Sequence, residues 1–292
     1  ARVLRHVSPA FVEDPVRILR VARFAARFAP LGFTIAAETL ALMRSMVEAG
    51  EVDALVAERV WRELERALEE PAPRAALETL RACGALGVVL PEVDALFGVP
   101  QRAEWHPEID TGEHLLLTLD VAAARAAPGI VRYALLAHDL GKALTPRDEW
   151  PRHHGHETRG LGAIESLCTR LRVPQEHREL ALLAGRFHTH VHRGLELRAS
   201  TLLEFFEAAD AFRRPARFDA LLETCECDAR GRLGFETRPY PQRARVAAAH
   251  AAALGVTLDA AERNGLAGPA IGARLRLKSL AAIESATRSG TS

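Results

Sequence analysis

The sequence is poor in the residues that build sheets. Phe, Trp and Tyr make up 5% of its 292 residues, with 3 Trp and 2 Tyr. β-branched residues are sparse as well, and strands favour both classes. No alternation of useful length and no internal repeat is present, so an extended sheet is not expected. Alanine, leucine, arginine and glutamate dominate instead, and these favour helix. An excess of one charge is also missing, because 38 Lys+Arg face 38 Asp+Glu. That excludes a global field, so any nucleic-acid contact has to come from local patches. The basic charge is almost all arginine, which suits bidentate phosphate or base contacts. The four cysteines, Cys83, Cys168, Cys225 and Cys227, are scattered. Cys225-Glu-Cys227 has no second pair, which argues against a zinc knuckle. No apolar run approaches a membrane span, and no segment reads as a signal peptide. The expectation is a reducing, cytoplasmic protein of ordinary globular composition, with one large or two to three small domains.

What is present centres on His138-Asp139-Leu140-Gly141-Lys142. It closes the apolar run Val131 to Ala137, which reads as a buried helix. An adjacent imidazole and carboxylate at a buried helix end need partners, because unpaired buried polar groups are costly. A metal ion is one such partner, and this donor pair suits Zn, Mn, Fe, Co or Ni. Gly141 ends the helix, and Lys142 stands where a phosphate could be held. Alone, the stretch equally fits a plain helix C-terminus with a solvated lysine.

In chain order, Glu13-Asp14-Pro15-Val16-Arg17 opens a helix, with Asp14 as N-cap and Pro15 as first helical residue. Arg17, Arg20 and Arg23 share a broad face with Asp14. This is either a solvated basic side or an Asp–Arg pair that reads a base edge. Further helices are expected over about Ala36 to Ala49, Ala57 to Glu69 and Arg74 to Cys83. The segment from Leu90 to Pro107 reads as irregular, and a domain boundary is expected there. His114 opens an apolar helix. Arg152-His153-His154-Gly155-His156 is a dense histidine cluster at a loop–helix junction. The helix Glu176 to Phe187 finishes in His188-Thr189-His190-Val191-His192. Helices over Ser200 to Ala211 and Phe218 to Cys227 bring Asp210 and Asp228. A helix over Arg243 to Leu254 and a Pro269-started helix with a modest basic patch end the chain.

The order His114, His138-Asp139, His156, His188 and a late Asp is more specific than its parts. Each histidine lies at or near the end of a separate expected helix, and helical bundles build metal sites from such converging side chains. Asp139 as a bridging carboxylate, with imidazoles on either side, would hold one or two divalent ions.

This pattern resembles the HD superfamily of metal-dependent phosphohydrolases. Almost the whole chain is similar to the bacterial CCA-adding tRNA nucleotidyltransferases of the multifunctional, HD-containing type. The motifs carrying the likeness are Leu4-Arg-His-Val-Ser-Pro-Ala-Phe11, Glu13-Asp-Pro-Val-Arg17 with Arg20, Glu58-Arg-Val-Trp61 and Pro91-Glu-Val-Asp94 through Gly98. They continue in Trp105-His-Pro-Glu-Ile-Asp-Thr-Gly112, His138 to Lys142, Trp150 to His156, Asp228-Ala-Arg-Gly-Arg232 and Tyr240-Pro241. The resemblance implies that Asp14 and Arg17 select CTP or ATP, helped by Arg20, and that Glu58 and Arg59 stabilise that region. It implies metal ligands at His114, His138, Asp139, His156, His188 and Asp228, with His138, Asp139 and Lys142 catalytic. Asp228 is favoured over Asp210 because it sits in the motif-like Asp-Ala-Arg-Gly-Arg. The expected activities are 2′,3′-cyclic phosphodiesterase, 2′-nucleotidase and phosphatase, with Ni²⁺ or another transition metal. The partners would be tRNA, CTP and ATP, without a membrane and with a homodimer as an option.

Two departures from the family stand out. The Gly-rich entry and Asp-x-Asp pair of the catalytic head, which would hold Mg²⁺, are absent, so polymerisation is not expected from this chain alone. Thr189 stands where the family carries Asp after the histidine, so either His188 alone is a ligand there or the position lies outside the ligand set. The implied fold is all-α: a multi-helix neck and body, an HD-type helical bundle and a helical tail. The expected segments are 1–70 (neck, nucleotide selection), 71–105 (body connector), 106–235 (HD phosphohydrolase) and 236–292 (tail, tRNA contact). Two other readings remain: a stand-alone HD phosphohydrolase on nucleotides, and a non-catalytic tRNA-binding helical module.

Overall fold

Helix is nearly everywhere that alanine and leucine predict it. The structure is a computed structural model and describes residues 2–288. In chain order the helices are α1 (Val16–Phe28), α2 (Ala37–Glu48), α3 (Ala57–Glu69), α4 (Pro73–Ala82), α5 (Ala85–Val89), α6 (Pro91–Asp94), α7 (Thr111–Ala124) and α8 (Gly129–Ala137). They continue as α9 (His156–Arg170), α10 (Gln175–His192), α11 (Ala199–Ala208), α12 (Pro215–Arg230), α13 (Pro241–Leu254), α14 (Ala260–Arg263) and α15 (Gly268–Arg288). Among the described residues, sheet is confined to Val3–Leu4 paired in parallel with Thr34–Ile35. The all-α expectation therefore holds.

The chain divides into two compact units, and the division is interleaved. One runs to Arg186 and takes in Cys227–Arg238; the other comprises Phe187–Glu226 and the chain from Pro239 onward.

In the first unit α1 packs on α3 and α4, α3 on α8, and α4 on α7. The stripes that do this repeat at helical spacing: Ile18, Leu19, Ala22, Ala25 and Ala26 on α1, and Val60, Trp61, Leu64, Ala67 and Leu68 on α3 are buried. Trp61 meets Tyr133 of α8 edge-on, with ring centroids 5.1 Å apart. Arg132 of α8 is itself buried. It donates to the carbonyls of Leu68 (2.8 Å) and Glu70 (3.0 Å), satisfying the C-terminal end of α3. Arg74 of α4 reaches forward to Glu113 (2.7 Å) and Asp120 (2.6 Å) on α7. Packing and ion pairs thus join the helices on both sides of the irregular stretch between α6 and α7.

In the second unit α15 packs on α11 and α13, and α11 on α13. Its aromatic centre is Phe206, Phe212 and Phe218 around the ring of His250, with Phe218 and His250 centroids 4.7 Å apart. His250 Nε2 meets the carbonyl oxygen of Ala211 at 3.2 Å. Burial lowers its pKa, and the carbonyl only partly opposes this. A buried histidine held neutral favours folding above the unfolded-chain pKa of about 6.5. Its contribution is lost as pH falls from there toward the lower folded value, because the unfolded chain then binds more protons. The expected result is that urea midpoints fall between pH 7.5 and 5.5, and that His250→Leu flattens this part of the slope. An identical slope in the variant would contradict it.

Candidate metal centre

Three elements of the first unit, and the last turn of α12, converge on one buried cluster. His114 is the fourth residue of α7, whose start is fixed by Asp110 accepting the Glu113 N–H at 2.9 Å. His138 caps α8, a helix buried along Val131–Ala137. Asp139 follows it and leads into a 3-10 turn, Leu140–Leu144. His156 opens α9 after Gly155, which takes a positive φ of 68°. Asp228 lies near the end of α12.

The distances form a chain of alternating imidazoles and carboxylates. His114 Nε2 is 2.9 Å from Asp228 Oδ1. Asp228 Oδ2 is 3.7 Å from His138 Nε2, which is 3.2 Å from Asp139 Oδ2. Asp139 Oδ1 is 3.5 Å from His156 Nε2. His114, His138 and Asp228 each offer one donor atom within 4.8 Å of the others.

The other ring nitrogens decide what this arrangement can bind. His138 Nδ1 lies 2.8 Å from the Leu135 carbonyl, and His156 Nδ1 lies 2.9 Å from the His153 carbonyl. A carbonyl only accepts, so Nδ1 carries the proton in both rings. In the neutral rings Nε2 then presents a lone pair to a carboxylate oxygen, and two acceptors face each other. Such contacts are favourable with a cation among them, and a buried set of imidazole nitrogens and carboxylate oxygens suits a divalent transition metal. Without a metal, a proton can serve at His138. Burial works against its charged form, but Asp139 and Asp228 outweigh that and raise it to about 9. His156 goes the other way: burial lowers it, with Asp139 opposing. The residues present therefore fit a divalent ion.

The surroundings of Asp139 are fixed as well. Lys142 is buried, and its Nζ donates to Asp139 Oδ2 at 2.7 Å and to Gln101 Oε1. Its charge is thus committed to the centre. Within the histidine cluster, His153 is a brace between Thr145 Oγ1 (2.6 Å) and the Pro100 carbonyl (2.7 Å). His154 is exposed. His156 alone of the three turns to Asp139. The turn and α9 meet backbone to backbone at two glycines. A Cβ on Gly141 would collide with the His156 carbonyl and lie 2.7 Å from the Gly160 amide.

His188, on α10 beyond Arg186, falls in the second unit, where it is buried with its ring 5.9 Å from that of His192. Asp210 is also in that unit, with Arg213, Arg214 and Arg217 each 3.9 Å away. Of the two late aspartates considered from sequence, Asp228 is the one that meets His114.

Glu108 and Gln101 were not among the sequence candidates. Glu108 Oε1 takes His114 Nδ1 at 2.9 Å and His106 Nδ1 at 3.0 Å. The one available signal was its place in Trp105-His-Pro-Glu108, a run that quotes as motif but reads as loop.

The nucleotide candidates cluster at the start of α1. Asp14 Oδ1 accepts the Val16 N–H at 3.1 Å, and Oδ2 pairs with Arg59 of α3 at 2.6 Å. The hydrogen bond from Arg59 holds the Asp14 carboxyl below its usual pKa. Arg17 donates to the Ala10 carbonyl. Arg20 (3.4 Å) and Arg23 (2.9 Å) share the buried Glu63. Two residues of α3, Arg59 and Glu63, thus set the positions of Asp14 and Arg20.

A Multifunctional CCA protein of Thioalkalivibrio sulfidiphilus is 56% identical over 284 residues, covering 97% of this chain and 69% of the relative. One from Xanthomonas euvesicatoria pv. vesicatoria is 58% identical over 292 residues, covering 99% and 71%. Residues 32–97 match the family described as "Probable RNA and SrmB- binding site of polymerase A". Among solved structures, "The complex structure of CCA-adding enzyme with CTP" aligns with TM-score 0.52 at 17% identity, covering 100% of this chain and 64% of that one. "Structure of tRNA-processing enzyme complex 3" aligns with TM-score 0.53 at 18% identity, covering 95% and 65%. At that identity these two likenesses are ones of fold, and the chain spans about two thirds of the solved chains.

Proposed function

The chain belongs to the multifunctional CCA protein family, and from that premise we propose two roles for it. As part of a tRNA nucleotidyltransferase it takes part in adding and repairing the 3′-CCA end with CTP and ATP. Its His138–Asp139 centre is a metal-dependent phosphohydrolase of the HD type, acting on RNA-end phosphates as a 2′,3′-cyclic phosphodiesterase, 2′-nucleotidase and phosphatase. The observation that carries the second role is the set of imidazole Nε2 atoms facing the Asp139 and Asp228 carboxylates while their Nδ1 atoms donate elsewhere.

His114, His138, Asp139, His156 and Asp228 would hold the ion, Ni²⁺ or another transition metal; the sequence pattern adds His188. When bound, the ion supplies a Lewis acid for a phosphoryl oxygen. The protein's own residues do the rest. Nδ1–H of His138 and of His156 stays on a backbone carbonyl, so both rings keep Nε2 aimed at Asp139. Lys142, itself held by Gln101 Oε1, holds Asp139 Oδ2 still and offsets its charge.

For nucleotide selection, Asp14 would accept from an exocyclic amine while Arg17 and Arg20 donate to ring atoms. Mg²⁺ for nucleotidyl transfer would be held mainly by the head of the whole protein. The match at residues 32–97 supports RNA binding by the neck and body connector, and the tail is the second tRNA-contacting segment. Binding to tRNA should weaken steeply with salt.

The test is hydrolysis of 2′,3′-cyclic AMP by the purified chain with Ni²⁺, Co²⁺, Mn²⁺ or Mg²⁺ in turn. Turnover with a transition metal, and none with chelator, is the expected result. No turnover with any metal, from a folded sample that still binds tRNA, would overturn the phosphohydrolase and favour the non-catalytic tRNA-binding module.

A further inference from the structure

We propose that Glu108 is a positioning residue of the metal centre: its carboxylate fixes His114 in the tautomer whose Nε2 faces Asp228, and ties that ring to the segment following Asp228. The inference rests on the metal-dependent reading above.

Glu108 comes from a loop, and its side chain is only 2% exposed. Every polar contact it makes points to this role. Oε1 accepts from His114 Nδ1 (2.9 Å) and His106 Nδ1 (3.0 Å), and Oε2 accepts the Leu233 N–H (3.2 Å). His114 Nδ1 also lies 3.2 Å from the Gly231 carbonyl. Both of its neighbours only accept, so the proton is on Nδ1 and the Nε2 lone pair, facing the Asp228 carboxylate, is left for a cation between them. Of the two neighbours, the charged carboxylate makes the stronger bond.

The backbone supports the same conclusion. Ile109 sits at φ 63° and is 48% exposed. A β-branched residue in the left-handed region is strained, and an exposed one gains nothing from its own burial. The conformation is held by the Gln101 N–H on the Ile109 carbonyl (2.7 Å) and by the Ile109 N–H on the His106 carbonyl (2.9 Å). What it achieves is to turn Glu108 inward. On the far side, a Cβ on Gly231 would lie 2.6 Å from Thr118 Cα, so the end of α12 is pressed on α7. The Glu108–Leu233 bond then fastens the chain just past that contact. Carboxylates behind ligating histidines set ring orientation and basicity in this way.

The experiment measures Co²⁺ binding by calorimetry on the full chain, and imidazole tautomers by ¹⁵N–¹H correlation on the metal-free chain. Wild type should bind Co²⁺ with His114 held as the single Nδ1–H tautomer. Glu108→Gln, which keeps the shape, should weaken Co²⁺ about 10-fold, and Glu108→Ala toward about 100-fold, the range for such outer partners. The His114 signal in Glu108→Gln should spread over both tautomers. A carboxylate that merely pins the loop would lower Tm without moving either readout. If wild type binds Co²⁺ and Glu108→Gln binds equally with His114 unchanged, the inference is overturned and the metal reading stands. If wild type takes up no Co²⁺, the metal reading itself fails and takes the inference with it.

Discussion

Asp139→Asn is expected to remove metal-dependent hydrolysis of 2′,3′-cyclic AMP almost completely. The loss should be on the order of 10³-fold or more, roughly 4 kcal/mol of transition-state stabilisation. Asp139 is the middle of the cluster: Oδ2 meets His138 Nε2 (3.2 Å) and Lys142 Nζ (2.7 Å), and Oδ1 meets His156 Nε2 (3.5 Å). Asparagine keeps the shape but loses the charge that attracts an ion and one of the two oxygens that can ligate it. Asp139→Ala should lose activity too, and stability with it. It leaves the buried Lys142 ammonium with Gln101 as its remaining carboxylate-free partner, and breaking a buried pair costs about 3–5 kcal/mol. Asparagine is therefore the informative variant, with tRNA binding as the control for an intact remainder. Hydrolysis by Asp139→Asn at more than about a tenth of the wild-type rate would place the chemistry elsewhere.

Gly141→Ala is expected to destabilise the protein and to damage the same activity. The new methyl group would meet backbone, the His156 carbonyl and the Gly160 amide at 2.7 Å. No side-chain rotamer can relieve such a collision, so the Leu140–Leu144 turn has to part from α9. Overpacking of this kind costs about 1–3 kcal/mol, a fall in Tm of roughly 2–5 °C for a chain of this size. The shift would carry His156 away from Asp139, so hydrolysis should fall further than stability alone explains. Gly162→Ala is the matched control. It lies in α9, the helix packed on that turn, with nothing within 4 Å of its Cβ position, and there alanine should stabilise by about 0.5–1 kcal/mol. Equal melting temperatures for the two variants would contradict the account of this helix crossing.

Much of this was legible in the sequence where composition and punctuation agree. α3 spans Ala57–Glu69 as its apolar spacing and the following Pro71 require. The buried run Val131–Ala137 ending in His138-Asp139 marked both the helix and the end at which the cluster gathers. Other features depend on contacts that spacing does not encode. α10 continues through His188-Thr-His-Val-His192, and α12 reaches Arg230 and so carries Asp228 within a helix. Three neighbouring histidines look alike in sequence. One braces a loop, one faces solvent and one meets Asp139, because Thr145 and the Pro100 carbonyl capture His153. Lys142 looks like a solvated helix-end lysine, yet Asp139 and Gln101 draw it inward. Glu108 was hidden for the same reason: its role comes from a loop strained at Ile109, which no periodicity marks. The interleaving of the two units has no linear signal either, since α10 and α12 each run across the division.

The measurement that bears most directly on the central claim is anomalous scattering from crystals of the full chain grown with Ni²⁺ or Co²⁺. The account predicts a strong peak among His114, His138, Asp139 and Asp228 that disappears in Asp139→Asn. Crystals with no ion at that cluster, under conditions where the same sample hydrolyses 2′,3′-cyclic AMP, would contradict it.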